Sequence, residues 1–508
     1  MASAPHAPRG LGARLARNSL HSASGRVVAL FAWLALTPAL VRGLGPEGFG
    51  VWSLFFALTG WMGALDLGFS QVALRFGASA RARDAGAEAG EYATLAVLGY
   101  LTLGLVWLGV MLVAREPVLD LLRITGPARA KAALAFLIGA PVFVCSGMAN
   151  TAIAALQAWD RFDLANAVTL SVSLGQVAAL LYALTHGAVF AVCLEGVLLA
   201  WFVAWLIGMA LLARGAPGFR WGGPRAALAR LRTSLGFGMP LQLANAVAVM
   251  HQQLGKLMLV RLRSLVSVVP YELGLRVATA SSTFAQLVLV AMIPEASTLH
   301  AQSQSERLLE LHRRAGRFVT GAAAVVTAAL VAAAPALYAV WLGRPDPGAA
   351  LALRGLALAA YAAVAGGVSG AIARGVGRTH LELEWSALAL VLHGTLGVLL
   401  VPRQGMLGAL IAIVVANTGA ALWFALRLAR AQGWPVARML WEPFLAPGLA
   451  VGAGVLGGSL AVRATSGPWP ALVVAGGVAA FASGAVLLAT RYASWREIAR
   501  LVRPGAPS

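Results

Sequence analysis

Apolar residues run along this chain in blocks of about 20, the number an α-helix needs to cross the hydrocarbon core of a bilayer. The blocks fall near residues 24–44, 50–72, 93–114, 132–156, 164–185, 188–212, 236–260, 268–294, 318–342, 349–373, 384–401, 405–428, 444–463 and 470–490. They predict an all-α polytopic membrane protein of 14 transmembrane helices, with both chain ends on one side. The block at 384–401 is the weakest, because Glu382 and Glu384 open it and His393 interrupts it. Connections are short. The longest inner ones, 73–92, 213–235 and 295–317, are too small for a soluble catalytic domain.

The pattern also repeats. Leu40-Val41-Arg42 aligns with Leu259-Val260-Arg261 at an offset of 219, and the same register sets Trp52 against Tyr271 and Leu54 against Leu273. Both stretches join an outward helix to an inward one. The repeat therefore predicts two six-helix lobes in the same orientation, related by an axis along the membrane normal, with a substrate pathway at their centre. The expected organisation is a cytoplasmic segment at 1–23, an N-lobe at 24–212 and a cytoplasmic linker at 213–235. A C-lobe at 236–428, two more helices within 429–490 and a cytoplasmic tail at 491–508 complete it.

Composition sharpens this picture. Of 508 residues, 59% are hydrophobic and 11% charged, with a mean hydropathy of +0.79. That excludes a soluble enzyme with one anchor, a disordered regulator and a secreted scaffold. The 57 glycines suit helices whose backbones approach closely. Cys145 and Cys193 lie in apolar blocks and read as small buried hydrophobes, not as a disulfide or a zinc site.

Charge adds an orientation. The 39 basic and 19 acidic residues leave a net charge of +20, which in a soluble chain would suggest nucleic acid. With the N-terminus inside, 26 basic residues fall in inner segments and 11 in outer ones, which places both termini in the cytoplasm. This bias explains most of the positive charge with no nucleic-acid partner. The apolar run after Arg26 shows no small-residue cleavage site and reads as a retained first helix.

Enzyme apparatus is not visible. Gly43-Leu-Gly45-Pro-Glu-Gly48 spells G-x-G-x-x-G, but it joins two apolar helices and holds Pro46, so it reads as a tight turn rather than a dinucleotide site. There is no Walker A lysine, H-E-x-x-H, G-x-S-x-G or carboxylate cluster of metal-site spacing. What remains is the set of polar residues inside spans, which are costly in hydrocarbon and so point to function.

The stretch 236–290 is the richest. Asn245, Gln252 and Lys256 share one helix face, flanked by His251 and Gln253. Glu272, Arg276, Thr279, Thr283 and Gln286 form a second stripe on the next helix, expected to face protein or a water-filled cavity. Lys256 lies about 30 Å along its outward helix, where it either snorkels to the interface or pairs with Glu272. Arg276, about 6 Å deeper, is the best candidate for a cavity charge. His251 reads as a proton relay or, more commonly for such a residue, as a packed, hydrogen-bonded histidine. Glu195 is a candidate for ion coupling or for packing, and Asp66, before Gly68, for ion coupling or a structural turn.

Leu40-Val-Arg-Gly-Leu-Gly-Pro-Glu-Gly-Phe-Gly-Val-Trp-Ser-Leu54, Leu65-Asp-Leu-Gly-Phe69 and Ala155-Leu-Gln-Ala-Trp-Asp-Arg-Phe-Asp163 carry a family resemblance. So do Tyr271-Glu-Leu-Gly-Leu-Arg276, Pro294-Glu-Ala-Ser297, Ala373-Arg-Gly-Val-Gly-Arg378 and Gly405-Met-Leu-Gly-Ala409. In this order the chain resembles the polysaccharide-transport branch of the multidrug/oligosaccharidyl-lipid/polysaccharide (MOP) exporters, the Wzx-type O-antigen flippases. The resemblance implies MATE-like lobes around a cationic cavity, two extra C-terminal helices and alternating access. It implies as substrate an oligosaccharide on polyprenyl pyrophosphate, moved from the cytoplasmic to the periplasmic leaflet of the bacterial inner membrane. One departure stands out: relatives often carry an acidic residue where this chain has Gly255, while Asp66 and Glu272 keep their family positions.

These readings converge on a non-enzymatic flippase for a lipid-linked oligosaccharide. Arg276, Lys256, Arg42 and Arg261 are the candidate head-group contacts, with His251, Gln252 and Asn245 as polar lining. Glu272, Glu195 and Asp66 are the ion-coupling candidates. No cofactor or metal is expected; coupling to H+ or Na+ is left open. Membrane lipids and a polysaccharide polymerase machinery are the expected partners, with no nucleic acid. The rivals are a cation-coupled drug exporter of the same fold, a membrane glycan polymerase or ligase, and a scaffold. The basic central residues argue against the first and the short outer loops against the second.

Overall fold

The structure, a computed structural model, describes residues 11–64, 66–187, 189–490 and 492. The predicted segment 1–23 lies partly, and the tail 491–508 almost wholly, outside the described residues. The chain begins with α1 (Leu11–Ala64), α2 (Phe69–Arg81), α3 (Gly86–Leu121), α4 (Pro127–Ala158), α5 (Phe162–Thr185) and α6 (Phe190–Gly215). The short α7 (Pro224–Ala229) leads into α8 (Leu231–Leu262), α9 (Val268–Ala301), α10 (Ser305–Trp341) and α11 (Pro347–Gly375). After them come α12 (His380–Gln404), α13 (Met406–Gln432), α14 (Val436–Leu440), α15 (Ala446–Val462) and α16 (Pro468–Ala489).

Every predicted apolar block falls mainly on helix, that at 50–72 crossing the break between α1 and α2. Among the described residues, 11 helices are long and apolar enough to cross a membrane, and the bent pair Leu30–Ala64 and Phe69–Arg81 makes a twelfth. The difference from 14 has two physical causes. The first two blocks are continuous in α1 across a kink at Gly45, whose φ of 68° needs a residue without Cβ strain, and Pro46 follows where its missing N–H is least costly. The block at 236–260 is helical as α8, but Asn245, His251, Gln252, Gln253 and Lys256 dilute its apolar character. The weakest block, 384–401, lies wholly within α12.

The helices form two compact units, one reaching to Val249 and the other starting at Met250, so the division falls inside α8, downstream of the 213–235 linker. In the first unit α4 is the hub and packs against α1, α2, α3, α5 and α6, while α5 pairs with α6. In the second, α11 packs against α9, α10 and α13, while α12 pairs with α13. With α4 matched to α11, α3 to α10, α5 to α12 and α6 to α13, the order of neighbours recurs, as an internal repeat requires. The linker docks on α3: Arg230 Nε donates to Glu91 at 2.8 Å, and Thr94 donates to the Gly222 carbonyl at 3.1 Å.

Small residues make the close contacts, as expected where lipid removes most of the hydrophobic drive between helices. Ala328, Ala332, Ala475 and Ala479 form the seam of α10 with α16. On α15, Gly458 comes so near that a Cβ there would stand 2.6 Å from the Ala475 carbonyl oxygen and 2.7 Å from Ala332 Cβ. We expect Gly458→Val to overpack this seam by about 1–3 kcal/mol and lower the melting temperature of the purified protein. Gly452→Ala on the open face of α15, where a Cβ meets nothing within 4 Å, should not lower it.

Candidate functional site

The helical register of α9 sets Glu272 and Arg276 one turn apart, and α8 brings Lys256 against them. Lys256 Nζ lies 2.6 Å from Glu272 Oε2, and Arg276 Nε donates to Glu272 Oε1 at 3.1 Å. Lys256 is 4% exposed and Glu272 6%, so the lysine is buried and paired rather than snorkelling. The Arg276 side chain keeps 16% of its surface open. Two cations on one carboxylate leave the cluster with a net positive charge, and its open edge belongs to the arginine. A planar guanidinium presents several donors to anionic oxygens.

Gly255 has a steric cause in the same place. A Cβ at this position would collide with the Tyr271 hydroxyl, so an acidic side chain cannot occupy it while Tyr271 is fully buried against α8. The acidic group at this junction is Glu272 on the neighbouring helix, one residue from that tyrosine.

The two polar stripes divide. Along α9, Glu272 is buried, Arg276 and Thr283 are half-buried, and Thr279 and Gln286 are exposed. Along α8, Asn245 and Gln252 are exposed while Lys256 is not. Arg261 is half-buried in the last turn of α8. Arg42 belongs to the other unit, exposed on α1 just before the Gly45 kink. The structure thus brings Lys256, Glu272 and Arg276 together by contact.

In the first unit, Asp66 closes the break between α1 and α2. Its Oδ1 accepts the Gly68 N–H at 2.8 Å and its Oδ2 accepts the Tyr100 hydroxyl at 2.7 Å. Leu67 and Gly68 both have positive φ there, a conformation the Asx-type hydrogen bond supports. Glu195 is exposed on α6, beside a groove of about 580 Å³ that Ser171, Gly175 and Tyr182 of α5 also line.

Two further groups escape sequence reasoning. Glu442, 8% exposed, sits in a π-helical turn at Trp441–Leu445 and takes hydrogen bonds from Arg313 Nε at 3.1 Å and Arg317 Nη2 at 2.9 Å on α10. No spacing links residues so far apart in the chain; only the four-residue interval between the arginines was visible. The second is His393 on α12, legible as a polar interruption of its block but not as a neighbour of His251. The ring centroids of these histidines are 5.0 Å apart. His251 Nε2 lies 2.7 Å from Asn417 Oδ1, and Asn417 Nδ2 donates to the Ala359 carbonyl at 3.0 Å. Among the described residues no group of three or more His, Cys, Asp or Glu is placed to hold a metal ion.

This architecture defines a multi-pass membrane protein with the fold of the MOP superfamily. It is similar to an inward-facing multidrug resistance MATE family transporter of that superfamily, with a TM-score of 0.70 at 18% identity over 80% of this chain and 96% of that one. It is similar as well to the lipid II flippase MurJ in an inward closed conformation, with a TM-score of 0.69 at 10% identity over 94% and 99% of the two chains. An outward-facing MATE transporter gives 0.60 at 19% identity over 82% and 96%. The family model described as polysaccharide biosynthesis protein matches residues 15–300, and the chain belongs to that family. No curated protein matches it in sequence.

The ion cluster makes an ordering prediction. Glu272→Gln removes the carboxylate that Lys256 and Arg276 share, whereas Lys256→Gln leaves Glu272 paired with Arg276. Breaking a buried pair costs about 3–5 kcal/mol, so Glu272→Gln should lower the melting temperature in detergent more than Lys256→Gln does. Equal losses, or the reverse order, would show that the carboxylate does not hold the cluster together.

Proposed function

We propose that the protein is a non-enzymatic flippase that moves a polyprenyl-pyrophosphate-linked oligosaccharide from the cytoplasmic to the periplasmic leaflet by alternating access. It does so in the bacterial inner membrane for cell-surface polysaccharide synthesis, in the manner of the Wzx-type O-antigen flippases. The observation that carries this reading is the net positive cluster of Lys256, Glu272 and Arg276 within a membrane unit, with its open edge on Arg276. Pyrophosphate and sugars cannot enter hydrocarbon unaided, and arginine binds phosphate oxygens in bidentate fashion. The lipid tail remains in the membrane. Membership of the polysaccharide biosynthesis family supports a glycan substrate, and the likeness in fold to lipid II flippase supports a lipid-linked one.

In this reading Arg276 and Lys256 form the head-group site, with Arg42 and Arg261 as further contacts and His251, Gln252 and Asn245 as polar lining. The lobes are 24–212 and 236–428, followed by two further helices, and both termini are cytoplasmic, as the 26 to 11 distribution of basic residues favours. Product release on the periplasmic side would deliver the substrate to polymerase machinery.

The test is a flip assay in proteoliposomes, reading the exposure of a fluorescent polyprenyl-pyrophosphate oligosaccharide to a membrane-impermeant quencher. Wild-type protein should expose the lipid, and Arg276→Ala should reduce the rate by tenfold or more, about 1.4 kcal/mol or above, at equal abundance. Normal flipping by Arg276→Ala would remove the arginine from the site. No exposure with any glycan, alongside efflux of cationic dyes, would establish a drug exporter instead.

A further inference from the structure

His251 and His393 lie inside the apolar blocks 236–260 and 384–401 of the second unit. At 1.5 Å per residue they sit roughly 22 and 14 Å along their spans, away from both interfaces. His393 is 0% exposed, and neither of its ring nitrogens makes a hydrogen bond of good geometry among the described residues, although the His251 backbone carbonyl lies near the ring. Buried polar atoms are normally satisfied, and an exception in hydrocarbon calls for an explanation.

The surroundings set the protonation of His251. The Asn417 amide nitrogen donates to the Ala359 carbonyl, so Asn417 turns its Oδ1 toward His251. An oxygen there accepts, so Nε2 of His251 must carry the proton and Nδ1 presents a lone pair. That Nδ1 is buried and makes no hydrogen bond of good geometry among the described residues, although the Ala389 backbone carbonyl lies near the ring. The three helices thus hold two neutral imidazoles edge to face at 5.0 Å, with unoccupied nitrogen lone pairs and one acceptor amide fixing the tautomer of one ring.

The charges around the pair are engaged elsewhere. Lys256 on α8 and Glu272 and Arg276 on α9 are bound to one another. On α12, Glu382, Glu384 and Arg403 stand at the helix ends, far along the axis from His393. On α13, Arg427 and Arg430 lie in the last turns, and Asn417 is the polar group facing the rings. On α11, Arg354 donates to the Val331 carbonyl. No ion pair to either histidine is present among the described residues, so a charge arriving at the rings would have no ready counter-ion.

We propose that the His251–His393 pair is the proton-binding site of this transporter and takes up one proton per cycle. The inference rests on the transport reading above. Addition of a proton to a ring-nitrogen lone pair converts one imidazole to imidazolium, and nothing else is made or broken. A second proton is opposed by the first at 5.0 Å in a medium of low dielectric. A sodium ion is a poor occupant, because a hard cation wants several oxygen ligands and Asn417 Oδ1 is held by His251. The charged ring favours an arrangement of α8, α12 and α13 that admits water, so proton uptake biases the unit toward opening there.

The experiment combines two readouts on the full-length protein. In proteoliposomes, a pH gradient should speed flipping of the fluorescent lipid several-fold for wild type, and a sodium gradient should not. His251→Gln and His393→Gln should lose the acceleration, and His393→Gln, which lies outside the head-group lining, should keep gradient-independent flipping. Separately, ring 15N NMR of histidine-labelled protein in nanodiscs, titrated with protons alone, should show one ring in the pair becoming doubly protonated, with the signals assigned by the same two variants. Retained acceleration in the double variant, acceleration by sodium alone, or rings that stay neutral across the titration would each overturn the proposal. If wild type flips no lipid while the ring titrates, the transport reading fails and the proton site stands.

Discussion

A peptide group in hydrocarbon has no water to bond with, and the rest of this structure depends on that constraint. It requires each apolar block to close its own hydrogen bonds as a helix. It also confines irregular backbone to places where side chains or tight turns satisfy the freed groups. The Gly45 kink and the Asp66 turn are two such places, and in the second a carboxylate takes up both a backbone N–H and a buried tyrosine hydroxyl. Since lipid is as apolar as leucine, the helices are held together by close approach rather than by burial of large side chains. The Ala and Gly seams of α10, α15 and α16 are the outcome.

The same constraint governs the charges. Glu272 compensates two cations at once, and Glu442 takes hydrogen bonds from two arginines on α10. Both carboxylates are buried, and Arg313 is shared between Glu442 and Glu310. Charged groups held inside a membrane protein are costly unless paired in this way. The difference lies in covering: the Arg276 guanidinium has an open edge, whereas the Glu442 contacts tie α10 to the turn before α15.

Much of this was readable from the pattern of residues. Blocks of about 20 apolar residues locate the helices because hydrocarbon thickness and helical rise are constants. That Glu272 and Arg276 share a helix face follows from a four-residue interval, and the pairing of Lys256 with Glu272 from their matching depth on consecutive helices; that Arg276 also binds Glu272 came from the structure. The continuity of α1 through Gly45 was not readable, since a kink and a turn use the same Gly-Pro signal. Nor was the burial of Lys256, since a lysine near an interface has two outcomes of similar cost until its neighbours are known.

By itself, then, the sequence determined the helical class, the repeat, the family and the residues able to carry charge in the membrane, because each depends on local period, spacing or composition. The tertiary structure decided which of those residues meet. It set Gly255 against Tyr271, joined Glu442 to arginines 125 or more positions away, and placed His393 beside His251 with Asn417 between α13 and α11. These contacts join helices distant in the chain, and the choice of neighbours depends on the packing of whole faces. No interval along the sequence records that choice.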